Sequence, residues 1–154
     1  VPEAEFGIQF PTDFRELLEL YGTGEFKLGG LLISNPLSAA GRKEIQQALW
    51  TLQQLRDGME LSWFIHPERP GYLPWGRDHH GNIFCWWTAG EPEKWPIVQL
   101  GHGDEDSPHK VKVKITTFLI NYALNKYPKM QGGTAFDETK HRFVVGRPWE
   151  RQRS

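Results

Sequence analysis

Six histidines, one cysteine and a few short acidic runs are the residues of this 154-residue chain that could do more than pack. His79 and His80 are adjacent and His66 lies upstream, yet neither a His-Glu-x-x-His helix signature nor a Cys-x-x-Cys pair accompanies them. Asp78-His79-His80 also spells the label of a phosphoesterase family, whose chemistry needs further Asp and His motifs on strand ends; none can be assembled here. Read locally, Asp78-His79-His80-Gly81-Asn82 is a polar hairpin turn in which Gly81 is free to take a positive φ. Cys85 lies inside an apolar run, where a thiol is buried and inert. No Gly-x-Ser-x-Gly is present, and Ser34, Ser38, Ser62, Ser107 and Ser154 occupy cap, strand-end or loop contexts. Gly101-His102-Gly103-Asp104 lacks the Lys and Ser/Thr of a phosphate loop and reads as a turn.

Two further constellations are left. Glu91 with Glu93, and Asp104-Glu105-Asp106, supply acids that general acid–base catalysis would need at a working distance. Loop acids of this kind more often solvate or meet a partner, and a hydrolase would require two carboxylates converging with His79 or His80 in a deep pocket. Arg147, Trp149, Arg151 and Arg153 combine charge and an aromatic face as single-stranded nucleic acid would ask, but no second basic-aromatic platform supports them. The expectation is therefore a protein without catalysis, cofactor or metal.

The elements that would position these residues alternate in period. From Pro11 the pattern is helical: Thr12 is placed to cap, Asp13 and Glu16 put negative charge in the first turn, and Phe14, Leu17, Leu18 and Tyr21 share a face. Gly22 sits where a terminating glycine would, with Gly24 in the turn that follows. Phe26, Leu28 and Leu31 to Ile33 read as strands bent at Gly29-Gly30 and closed by Asn35-Pro36. Ser38 to Gly58 is the longest helical stretch, with Ile45, Ala48, Leu49, Leu52 and Leu55 at helical spacing.

Beyond Gly58 the chain turns to short apolar runs: Leu61 to Ile65, Tyr72 to Trp75, Ile83 to Trp87 and Ile97 to Leu100. Lys110-Val111-Lys112-Val113-Lys114 alternates strictly, predicting a half-exposed strand with lysines guarding an edge. Thr116 or Thr117 is placed to cap a last helix carrying Phe118, Leu119, Tyr122 and Ala123 and ending by Pro128. Gly132-Gly133 reads as a joint, His141 to Val145 as one further strand, and 147–154 as a flexible basic tail after a domain spanning 1–146. Helices first and last with strands bunched between them predict an α+β fold.

Composition bounds the class. At 38% hydrophobic and 24% charged residues the chain reads as one ordinary globular domain. No run approaches the roughly 18 apolar residues of a membrane span. Val1-Pro2-Glu3-Ala4-Glu5 shows no secretory pattern, and a single cysteine fits a reducing cytoplasm. A net charge of −1 argues against a dedicated nucleic-acid binder. Charge is uneven, however. Residues 1–26 carry six acids against Arg15, net −5, whereas 110–154 carry ten Lys or Arg against three acids, net +7. That is either ordinary solvation or a bipolar surface that orients a protein partner. Seven tryptophans serve cores and interfaces alike.

Four segments in order give the chain a family likeness. The first is Phe6-Gly7-Ile8-Gln9-Phe10-Pro11-Thr12-Asp13-Phe14-Arg15-Glu16-Leu17-Leu18 with Tyr21-Gly22-Thr23-Gly24 and Phe26; the second is Ile33-Ser34-Asn35-Pro36. The third and most specific joins Leu73-Pro74-Trp75-Gly76-Arg77-Asp78 to Gly81-Asn82-Ile83-Phe84-Cys85-Trp86, and the fourth is Trp95-Pro96-Ile97-Val98 leading to Phe118-Leu119. Their order and spacing resemble the SUKH superfamily, which includes bacterial immunity proteins and yeast cell-wall-synthesis regulators. Phe10 stands where the family pattern has leucine, and Asn82 where an acid is common.

The resemblance implies one α+β domain, a central, mostly antiparallel sheet flanked by helices, that binds a protein without catalysis. On that reading Pro11, Gly22, Gly24, Pro36, Trp75, Gly76, Gly81, Asn82 and Trp86 form the scaffold. Immunity members bind a cognate toxin domain in the producing cell and block it; eukaryotic relatives recruit signalling or cell-wall proteins. The acids and aromatics expected in or beside loops, Tyr21, Glu25, Glu91, Glu93, Trp95 and Asp104-Glu105-Asp106, are the candidate partner-binding face. Neither nucleic acid nor membrane is expected as a partner.

Overall fold

Strand-forming runs of Val, Ile, Phe and Trp separated by polar turns give an antiparallel meander. A computed structural model describes residue 7 and residues 9–21, 26–28, 30–101, 108 and 110–127. Five strands, β1 (Phe26–Leu28), β2 (Leu31–Ile33), β3 (Tyr72–Arg77), β4 (Ile83–Trp87) and β5 (Ile97–Leu100), pair in sequence order, each antiparallel to the next. Helix α1 (Thr12–Tyr21) precedes them, α2 (Ala39–Gly58) joins β2 to β3, and α3 (Ile115–Ala123) follows β5. Helices and an antiparallel sheet make the α+β architecture that the order of periodic segments predicts.

β3 and β4 are the middle of the sheet, and their apolar side chains are buried on both faces, which is why they read as near-continuous hydrophobic runs. Alternation divides them. Trp75, Phe84 and Trp86 turn to one face, where Trp75 and Phe84 meet Phe118 of α3 at 5.8 and 6.0 Å between ring centroids, and Trp86 meets Phe14 of α1 at 4.8 Å. Tyr72 and Trp87, paired across the ladder, turn to the other, with Trp63 edge-on to Tyr72. α2 packs along β3 through the face that carries Ile45, Leu49 and Leu52. Pro74 has no N–H to give a central ladder, and the β3–β4 register slips beside it, between Pro74 and Gly76.

Several element ends differ from the sequence expectation. Thr12 is the first helical residue of α1 and not its cap: Pro11 supplies the first carbonyl, to the Arg15 N–H. Lys110 to Lys114 is not a strand. Only Val111 joins the sheet, by reciprocal bonds with Ile97, and the Val113 N–H then turns back onto the Val111 carbonyl. The side chains of Thr116 and Thr117 do not cap α3; Lys114 occupies the cap position. Leu61 to Ile65 contributes only the bridge of Ile65 to Tyr72. Ser38 caps α2 as expected, its hydroxyl accepting from the Gly41 N–H. Gly22, Gly24, Glu25, Asp104, Glu105, Asp106, the 141–145 segment and the 147–154 tail lie outside the described residues.

Candidate functional site

The most specific motif builds a turn. Asp78, at the end of β3, is buried, and one carboxylate oxygen accepts from the backbone N–H groups of His80 at 2.9 Å and Asn82 at 3.0 Å. The other oxygen accepts from the Asn82 side-chain amide at 2.8 Å, and the Asp78 N–H donates to the Asn82 carbonyl at 3.1 Å. Gly81 sits at φ 85°, which closes the loop without strain. This is the hairpin expected from the sequence, and it explains the histidines: with Asp78 saturated by its own loop, His79 and His80 are left exposed at the tip. His79 packs over Gly30, where a Cβ would collide with the imidazole. Among the described residues no group of three His, Cys, Asp or Glu side chains is arranged to hold a metal ion.

The remaining reactive groups are packed for the core. Burial pushes the Cys85 thiol well above its ordinary range, so it stays protonated. Burial, with a smaller contribution from Cys85, raises Tyr72 to about 12; burial, then Asp78, does the same for Tyr122. Trp75, Gly76 and Trp86 of the scaffold motif are buried in the two central strands. A Cβ on Gly76 would press on the Leu32 carbonyl oxygen at 3.0 Å, which is why β2 and β3 approach at that point. Pro11 and Pro36 are buried at the entries to α1 and α2.

Of the candidate partner face, the described members have distinct places. Glu91 is exposed before a short 3-10 turn, Pro92–Lys94. Glu93, though exposed, is held: its carboxylate accepts from the Thr12 backbone N–H at 2.8 Å and the Thr12 hydroxyl at 2.5 Å. It thus caps α1 from 81 residues away, and these bonds, first among the causes, hold its carboxyl below the usual range. Trp95 is only 3% exposed; its ring packs 5.9 Å from Trp86 and its indole N–H donates to the Gly90 carbonyl at 3.1 Å. Tyr21 is the last residue of α1. The structure therefore joins Glu93 and Trp95 to the fold and leaves Glu91 facing solvent.

Three features that set this arrangement carry no motif in the sequence. Asp13 accepts from the N–H and the hydroxyl of Thr116, both at 3.0 Å, capping α3 from 103 residues away. Gly41 admits no side chain, because a Cβ would overlap the Asn35 carbonyl; the only sequence signal is its position three residues after the capping Ser38. Gly71 is closed in the same way by the Glu68 carbonyl. No spacing announces pairings 81 and 103 residues long.

A family model described as SMI1-KNR4 cell-wall, SUKH_6, matches residues 2–119. The chain belongs to the SUKH superfamily. No curated relative and no solved structure matches it. Among the described residues the match takes in strands β1 to β5, helices α1 and α2 and the first part of α3 of this SUKH domain. In this chain the segment from Trp75 and Gly76 through Asp78 to Gly81 thus fixes a core ring, a close strand approach and a hairpin. Among the described residues no helix is long and apolar enough to cross a membrane.

Proposed function

We propose that this SUKH domain is a non-enzymatic binding protein, an immunity protein that occludes a cognate toxin domain inside the producing cell. The observation that carries the reading is the family match over residues 2–119. What the motif residues do supports it: Trp75, Gly76, Asp78, Gly81, Asn82 and Trp86 are spent on rigidity, and a rigid scaffold lowers the ordering cost of a tight interface. Tyr21, Glu25, Glu91 and the Asp104-Glu105-Asp106 loop remain the proposed contact face, since Glu93 and Trp95 already have structural partners.

The test uses the purified product of the adjacent upstream gene. A stable complex in which that protein's toxic activity is lost supports the reading, and charge reversal at Glu91 and Asp104-Glu105-Asp106 then weakens binding while leaving the fold intact. No complex, or a complex with activity intact, sinks it. The cell-wall term in the matched family's description favours a second reading, a regulatory module that recruits signalling or cell-wall-synthesis proteins. Under that reading the adjacent gene encodes no toxin.

A further inference from the structure

The solvent side of α2 is a stripe centred on an exposed ring. At about 100° per residue, the residues within about 60° of Trp50 around the helix are Lys43, Gln46, Gln47, Gln53, Gln54 and Asp57. The buried Ile45, Leu49 and Leu52 turn away from them. All of the stripe except half-buried Gln53 is exposed, and Trp50 shows 56% of its surface. Outward from Trp50 the stripe is symmetric in type. Two glutamines stand on each side, three and four residues away, and then one charge on each side, seven away. The charge is positive toward the start of the helix and negative toward its end. The remaining charged residues of α2 are tied to their own surroundings. Arg42 donates to the Pro36 carbonyl at 3.0 Å, Glu44 accepts from the Ser34 hydroxyl at 3.2 Å, and Arg56 reaches the Trp63 carbonyl and the Glu68 carboxylate. Among the described residues Lys43 has no ion pair, and Asp57, its side chain 69% exposed, meets only the adjacent Arg56. Lys43 stands toward the positive end of the helix dipole and Asp57 at the negative end, so neither charge serves the helix that carries it.

A surface that answers this stripe must present the same sequence of groups in reverse, and an identical helix laid antiparallel across it does so. With Trp50 on a two-fold axis, each Lys43 meets the second copy's Asp57, each Gln46 meets a Gln54 and each Gln47 a Gln53. A rise of about 1.5 Å per residue puts both charges roughly 10 Å from the axis on either helix, so they arrive level. An amide carries a donor and an acceptor, so glutamine pairs with glutamine without burying charge. A centre of aromatic rings and amides with charges at its rim is the anatomy of a protein interface. The other exposed apolar residues lack this self-complementarity. Phe64 is a single point between buried Trp63 and Ile65. Ile120 and Leu124 belong to the shorter α3, which has Lys114 at its start and Lys126 just past its end, and Leu20 stands beside Glu19; copies paired there would set like charges together.

We propose that the solvent face of α2 is a self-association surface on which two copies of this chain pair antiparallel about Trp50, Lys43 of each bonded to Asp57 of the other. The proposal goes beyond the toxin-binding reading and uses none of the residues assigned to it. One pair of 20-residue helices makes a small interface, so the dimer is a weak one that forms at micromolar and higher concentration.

The test is analytical ultracentrifugation of the full chain from roughly 1 μM to 1 mM, a range in which a micromolar dimer goes from mostly dissociated to mostly formed. The wild type passes from monomer to dimer across it. Trp50→Ala weakens association at least about tenfold, and the unfolding midpoint of the dilute monomer stays unchanged because the ring is exposed there. Lys43→Asp and Asp57→Lys each weaken association several-fold by setting like charges opposite one another. The double variant, Lys43→Asp with Asp57→Lys, restores opposite charges in exchanged places and recovers the wild-type association, which a variant damaged in its own fold does not do. A chain that remains monomeric at every concentration overturns the proposal. So does a dimer indifferent to Trp50→Ala. Losses in both single variants without recovery in the double overturn the antiparallel pairing, and the proposal with it.

Discussion

The β3–β4 turn and the helical layer over the aromatic sheet face are both held by carboxylates, at opposite ranges along the chain. Asp78 grips residues two and four positions on. Glu93 and Asp13 grip Thr12 and Thr116, 81 and 103 residues away. The first arrangement forms as soon as its own loop does. The second exists only when the sheet has already brought the 3-10 turn, α1 and α3 together. A local grip makes a motif; a distant one makes a tertiary lock, and loop-closure entropy must be overcome before it returns anything.

Trp75, the ring shared by both regions, gives the largest effect. Trp75→Ala should cost about 3–5 kcal/mol in chemical denaturation, by removing contacts to Phe84, Trp86 and Phe118 together. Among the described residues its buried indole N–H has no hydrogen-bond partner. Trp75→Phe should therefore be cheaper, under about 2 kcal/mol, because it also removes a donor that is costly to bury unpaired. Equal losses from the two variants would contradict that account.

Asp78→Ala comes next. It strands the His80 and Asn82 N–H groups and should cost about 2–3 kcal/mol, with amide exchange accelerated first in the 78–82 turn. Asp13→Ala should cost about 1–2 kcal/mol, and its exchange signature should differ: α1 and α3 loosen together, although the substitution touches only one of them. Exchange confined to α1 would mean the distant lock couples nothing.

The smallest effect is the most diagnostic of mechanism. Glu93→Gln keeps an acceptor for Thr12 and loses the charge, so it should cost about 0.5 kcal/mol at neutral pH. Because the folded-state pKa of Glu93 is lowered, its contribution is complete above the ordinary carboxylate pKa and is lost as pH falls through the folded value. Wild type and Glu93→Gln should accordingly converge in stability as the solution is acidified below the usual glutamate range. A difference independent of pH would show that the carboxylate charge plays no part.

Legibility follows the same division. Ser38, the Asp78–Asn82 hairpin and the apolar faces of α1 and α2 depend on residues within a turn or two of one another, so periodicity and turn chemistry reveal them. Lys110 to Lys114 misleads for the converse reason: alternation describes a strand that could form, but only Val111 finds a neighbour and the chain must turn into α3. Glu93 and Trp95 look like loop residues free for a partner, and the fold claims both, one as a cap and the other as core.

By itself the sequence determined the fold class, the superfamily and the local frame of the central hairpin, since these rest on side-chain periodicity, glycine freedom and short-range hydrogen bonding. Only the tertiary structure decided which acids are locks, which tryptophans are core and which aromatic rings face solvent. Those assignments depend on what each side chain meets across the whole chain, and burial is a property of the assembled layers that no single segment carries.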